Sequence, residues 1–140
     1  MRVAYLFLIV CSVFISCGSE EDKFLGEWNY EREARTEVFG LELDEGDTSG
    51  TIIFSEDSTG KWNAYRPYDI EWEIVDDGSS ISILKKIDNE IVFPFSLKRT
   101  FDIEHLSSGK IRLTHQSFSV STFDLTQEKE TYEEILLSRN

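Results

Sequence analysis

Cysteine is almost missing from this sequence: there are two, Cys11 and Cys17, both ahead of residue 18. The chain beyond them has no disulfide, no thiolate metal ligand and no thiol nucleophile to offer, so its fold rests on packing alone. Proline is equally scarce at two copies. Pro94 interrupts an apolar alternation, and its missing N–H places that strand at a sheet edge or at a bulge. Long hydrophobic runs are absent after residue 15. Positive charge is in short supply too, with 14 Lys and Arg against 27 Asp and Glu and a formal net charge of −13. A surface of that sign repels nucleic-acid phosphates, which excludes nucleic-acid binding, and repels anionic lipid headgroups as well. There is no glycine-rich phosphate loop, no Gly-x-Ser-x-Gly elbow and no His-Glu-x-x-His pair, nor any internal repeat or low-complexity segment.

What is present begins at the N-terminus. Arg2 precedes an apolar run from Val3 to Ile15, broken only by Cys11 and Ser12. The run is well short of the roughly 20 residues that a spanning helix needs and has the proportions of a signal peptide. It ends in Phe14-Ile15-Ser16-Cys17, which resembles the lipobox of bacterial lipoproteins, with Phe14 where leucine is usual. Residues 1–16 are therefore expected to be removed, leaving Cys17 as the acylated first residue. A plain secretory signal cut elsewhere is the alternative. Residues 17–22, ending in Glu20-Glu21-Asp22, read as a polar lipidated tether. Acidic residues at this place also resemble a surface-export signal, which implies an outer-membrane lipoprotein exposed at the cell surface. An ordinary solvated linker would look the same.

Residues 23–140 suit one domain. Apolar and polar residues alternate with period two: Ile70, Trp72 and Ile74 on one face with Glu71 and Glu73 on the other, then Ile81 and Ile83, Ile91 to Leu97, Phe101 and Ile103, Ile111 and Leu113. That is the pattern of half-buried antiparallel strands. Turn residues separate them at 56–60, 76–79, 88–89 and 107–109, where Asp, Asn and Gly tolerate positive φ. Strands are expected near 27–36, 50–55, 60–66, 69–76, 80–87, 90–98, 99–106, 110–116 and 118–126. Residues 37–49 read as either a strand or a lid-like loop, and a slip in parity between Val120 and Phe123 suggests a bulge. Thr131-Tyr132-Glu133-Glu134 fits a capping box followed by apolar residues at helical spacing, so a short C-terminal helix is expected.

Phe24-Leu25-Gly26-Glu27-Trp28 places a Gly-x-Trp at the start of the first strand, and Gly50 to Phe54, Gly60-Lys61-Trp62, Trp72-Glu73-Ile74, Phe101-Asp102-Ile103 and Lys110 to Leu113 follow in rhythm. This series resembles the lipocalin and wider calycin superfamily, and more closely its short lipocalin-like lipoprotein branch in Gram-negative bacteria. The resemblance implies an all-β, antiparallel up-and-down barrel of about eight strands. It makes Gly26 and Trp28 structural, with Trp28 plugging the closed end against a late basic residue, for which Arg112 is a candidate. The hairpin series reaches a barrel independently, since closure hides the apolar face and removes sheet edges; a two-sheet sandwich would share most of the pattern.

Candidate chemistry is thin. His105 and His115 flank one turn without a third metal ligand fixed by spacing. Glu71 and Glu73 lie about 7 Å apart on one strand face, yet their alternation with Ile70, Trp72 and Ile74 turns them to water and not to a glycosidase-like site. Asp44-Glu45-Gly46-Asp47 lacks the ligand spacing of a calcium loop. No catalytic residue, metal or cofactor is assigned. The interior aromatics Trp62, Tyr65, Trp72, Phe93, Phe95 and Phe101 are the candidates to line a pocket. The expected function is non-enzymatic: a lipid-anchored barrel at the cell envelope that binds a small apolar or amphipathic molecule, the membrane being reached through the N-terminal lipid. A solid barrel that engages or inhibits an unidentified protein is the second expectation.

Overall fold

The computed structural model describes residues 18–38, 41–44, 48–86, 98–120 and 128–139. The described chain begins with one turn of helix, α1 (Glu20–Phe24). Ser19 caps it: the Asp22 backbone N–H donates to Ser19 Oγ at 3.3 Å and the Ser19 N–H donates to Asp22 Oδ2 at 2.9 Å. That reciprocal box satisfies two orphan amides and sets acidic residues at the positive end of the helix. The segment read as a lipidated tether is thus partly folded onto the domain. Gly26, at φ +105°, then turns the chain into the first strand; an L side chain there would be strained.

Nine strands follow: β1 (Gly26–Val38), β2 (Leu41–Asp44), β3 (Thr48–Phe54), β4 (Thr59–Asn63), β5 (Tyr68–Val75), β6 (Ser80–Lys85), β7 (Lys98–His105), β8 (Ile111–Val120) and β9 (Glu128–Ser138). Each pairs antiparallel with the next from β3 to β9. β1 takes β3 along its first half and β2 along its second, on the same edge. Its other edge pairs with β9, from Asn29 opposite Ser138 to Val38 opposite Lys129. That last ladder closes the sheet on itself. The result is a closed eight-strand antiparallel barrel, with β2 as an extension beside β1.

The barrel has unlike ends. Tight turns after Phe54, Val75 and His105 all lie at the end where α1 enters, and they use positive φ at Ser58, Asp76, Asp77 and Ser108. At this end Phe24 is fully buried and packs edge-on to Phe54 at 5.6 Å and obliquely against Trp72 at 6.4 Å. Trp28 Nε1–H donates to the Phe24 carbonyl at 2.6 Å. Ile70, Ile81, Leu113, Ile135 and Leu137 fill the remaining space. This end is a solid apolar plug.

Several sequence expectations change here. No C-terminal helix forms: residues 128–138 are β9, the strand that closes the barrel. The alternation was disguised because the inward series Glu133, Ile135, Leu137 starts with a carboxylate, which together with Glu134 resembles a helix cap. The basic partner of Trp28 is Arg139, not Arg112. Its guanidinium lies 4.3 Å from the Trp28 ring centroid and donates to the carbonyls of Lys23 and Leu25, both at 2.9 Å. Arg112 stands between the buried Ile111 and Leu113, so strand parity turns it outward. There it pairs with Glu104 at 2.8 Å and Glu134 at 3.2 Å. Ile111–Val120 is one continuous strand, where separate strands 110–116 and 118–126 were expected. The expected strand 90–98, the bulge at Pro94 and the parity slip before Phe123 lie outside the described residues. Within 37–49, Leu41–Asp44 is a strand.

Candidate functional site

Above the plug, toward the end where β4 passes into β5, the barrel is not filled. A cavity of about 690 Å³ opens there, within the range of small-molecule sites. Its aromatic wall is built by parity. Tyr30 follows Trp28 two residues along β1, and Trp62 and Tyr68 face inward from β4 and β5. Tyr30 meets Trp62 edge-on at 5.2 Å, and Trp62 stacks on Tyr68 at 5.9 Å. Gly50 permits this, since a Cβ there would sit 3.1 Å from the Tyr30 ring and 2.3 Å from the Asn63 carbonyl. Ile83 and Phe101 complete the apolar part of the lining.

Besides Ala64, Tyr65 and the hydroxyls of Thr48 and Ser49, the rest of the lining is charged. Arg32, Arg66, Lys85 and Arg99 border the cavity, with Glu133 the carboxylate among the described lining residues. Glu133 is 2% exposed. Its two oxygens are taken separately, Oε1 by Arg32 Nε and Oε2 by Arg99 Nη1, so one carboxylate ties β1 to β7 across the interior. Such a bridge offsets the cost of burying the charge only while both partners stay. Lys85 Nζ lies 4.0 Å from the Tyr68 ring centroid, an attraction of cation to ring face. Burial drives the Tyr68 hydroxyl up to about 12, with Tyr30 and Glu133 adding to the shift and Arg32 and Arg99 opposing it. It is therefore a neutral O–H donor at any physiological pH.

Of the six aromatics proposed from sequence, Trp62 and Phe101 line the cavity, and Tyr65 stands at its mouth, 98% exposed. Trp72 does not belong to it. It lies in the plug, 5.2 Å from Phe54, and donates from Nε1 to the Thr59 carbonyl at 3.0 Å. Phe93 and Phe95 lie outside the described residues, as does Cys17. Tyr30 and Tyr68 were missed, and so were all the charged lining residues. The signal for them was available: each of Arg32, Lys85, Arg99 and Glu133 shares the inward parity of apolar neighbours on its own strand.

The other candidates are elsewhere. Glu71 and Glu73 sit on the outer face, paired at 2.6 Å with Lys86 and Lys98. His105 touches Glu20 on α1, whereas His115 faces the Thr100 carbonyl at 2.7 Å and the Phe101 ring at 5.5 Å, so the structure does not bring the two together. Among the described residues no group of three His, Cys, Asp or Glu is placed to hold a metal ion.

Fold and site together define a small closed β-barrel, plugged at one end and hollow at the other. Compared with known protein families, with curated proteins and with solved structures, the chain matches none of them.

Proposed function

We propose that this chain is a carrier or receptor barrel, lipid-anchored at the cell envelope through Cys17, that binds a small amphipathic molecule without transforming it. The observation that carries the reading is the cavity of about 690 Å³ walled by Trp62, Tyr68, Tyr30 and Phe101. Tyr30, Trp62 and Phe101 are as buried as Phe24, Phe54 and Trp72 at the other end, but they also border open space inside the barrel. Binding rather than catalysis is favoured because the cavity's carboxylate, Glu133, is held on both oxygens by arginines. That arrangement leaves it a poor general base. The anchor is favoured by the signal-like run and the small residue before Cys17.

Native mass spectrometry of the full chain after exposure to an envelope lipid and metabolite extract tests the reading. A reproducible added mass is expected, and Ala64→Trp, which puts an indole into the cavity, should abolish it. A clean apo mass would turn the assignment to a protein-interaction module.

A further inference from the structure

We propose that the molecule this cavity takes is an amphipathic organic anion, its charged head at the mouth among Arg32, Lys85 and Arg99 and its apolar body against Trp62 and Tyr68. This deepens the ligand-binding reading and rests on it. The argument starts from a repeated step in the sequence. On β1 the inward residue changes from Tyr30 to Arg32 toward the mouth, on β6 from Ile83 to Lys85, and on β7 from Phe101 to Arg99. Three separate strands thus make the same change at the level where the plug gives way to open space. Arg66, on the β4–β5 connection, adds a fourth cation to the rim.

Scarcity gives the step its weight. The chain carries 14 Lys and Arg against 27 Asp and Glu, so a random lining would be acidic. Instead the described lining has four cations and one carboxylate. Glu133 occupies Arg32 and Arg99 from one side. Among the described residues no carboxylate pairs with Lys85 or Arg66, and Lys85 rests on the Tyr68 ring instead. Charges of one sign inside low-dielectric walls focus the field on the space between them. Guanidinium groups match carboxylate, sulfonate and phosphate oxygens in paired hydrogen bonds. The stacked Trp62 and Tyr68 rings give the apolar body a flat surface. A neutral apolar ligand would offer Lys85 and Arg66 no counter-charge in exchange for the water it displaces, which costs binding.

The probes are anilinonaphthalene sulfonate and N-phenylnaphthylamine, which share one ring system and differ by the anionic group. Each is titrated into the full chain in lipid nanodiscs, with energy transfer from tryptophan as the readout and empty nanodiscs as the blank. The sulfonate should bind at least about tenfold more tightly than the neutral amine, one charge-assisted contact being worth that much. Arg99→Gln should remove most of the difference by weakening the sulfonate. Lys85→Gln serves as a second variant should the first fail to fold by circular dichroism. Displacement of the sulfonate by laurate or by lysophosphatidate supports the proposal and tells a carboxylate head from a phosphate one. Equal affinity for both dyes, unaltered by Arg99→Gln, would overturn the anionic head while leaving an apolar-ligand cavity standing. Binding of neither dye would remove the ligand-binding reading itself.

Discussion

At the scale of single residues, inward parity decides roles that residue type alone misassigns. Tyr68 is an aromatic on a strand, like Trp72, but it faces the cavity instead of the plug, and burial near Tyr30 and Glu133 lifts its hydroxyl to about 12. Its neutral form is thus favoured by folding. The associated stability is complete below the ordinary tyrosine value of 10.0 and is lost as pH rises through about 12. An ultraviolet titration of tyrosinate should show late ionisation from Tyr68 and from Tyr132, whose hydroxyl is raised by its hydrogen bond to Glu134, and Tyr68→Phe should lower the late amplitude by one tyrosine. If the variant leaves the late amplitude unchanged, Tyr68 is not the buried hydroxyl described here. The same parity explains what the sequence did and did not disclose. Trp62 and Phe101 were legible as lining because they are apolar and inward. Arg32, Lys85, Arg99 and Glu133 are not, because a charged side chain in an alternating series carries no mark of the face it shares with its apolar neighbours.

At the scale of elements, α1 is the part least expected and the simplest to test. Five residues cannot hold a helix alone, so tertiary contacts hold it: Phe24 in the plug, Arg139 across the carbonyls of Lys23 and Leu25, and Glu20 against His105 at the β7–β8 turn. Burial works to raise the Glu20 carboxyl, but hydrogen bonds and charge from Lys23 and His105 outweigh it and hold the group below its usual 4.5. A depressed carboxyl stabilises the folded state above its unfolded value and loses that contribution as pH falls through the folded one. Hydrogen-exchange protection in α1 should therefore fall below about pH 4.5 before the barrel's does, and Glu20→Gln should flatten that dependence. Phe24→Ala should cost about 3 kcal/mol of global stability, since it empties part of the plug; a loss under about 1 kcal/mol would mean that α1 is only docked. The strands and three of the tight turns were readable from alternation and from Asp, Ser and Gly. The helix at 20–24 and the strand at 128–138 exchanged places with expectation for one reason. Short acidic segments carry cap signals in both settings, and only the long-range partner decides between helix, tether and strand.

At the scale of the whole molecule, the proposed anchor combines with the asymmetry of the barrel to predict an orientation on a membrane. The described chain starts at Gly18, and α1 is bolted to the plugged end by Phe24, His105 and Arg139. With Cys17 acylated, two residues separate the lipid from the start of α1, a reach of about 7–10 Å even when extended. The plugged end must then face the bilayer, and the cavity mouth, roughly 15–20 Å away by strand length and tilt, faces outward. On the proposed anchor and ligand, a barrel so oriented would take its ligand from the aqueous side or from an opposing surface, not by dipping its mouth into the lipid. Fluorophores at Ser107→Cys, on the turn of the plugged end, and at Tyr65→Cys, on the mouth, test this in proteoliposomes. A quencher confined to the bilayer should dim the first strongly and the second weakly, and Cys17→Ala should release both from the vesicles. Equal quenching at the two positions would mean that the barrel lies on its side or tumbles on a longer tether. Stronger quenching at Tyr65 would invert the orientation and bring the mouth to the lipid, as extraction of a ligand directly from the membrane would require.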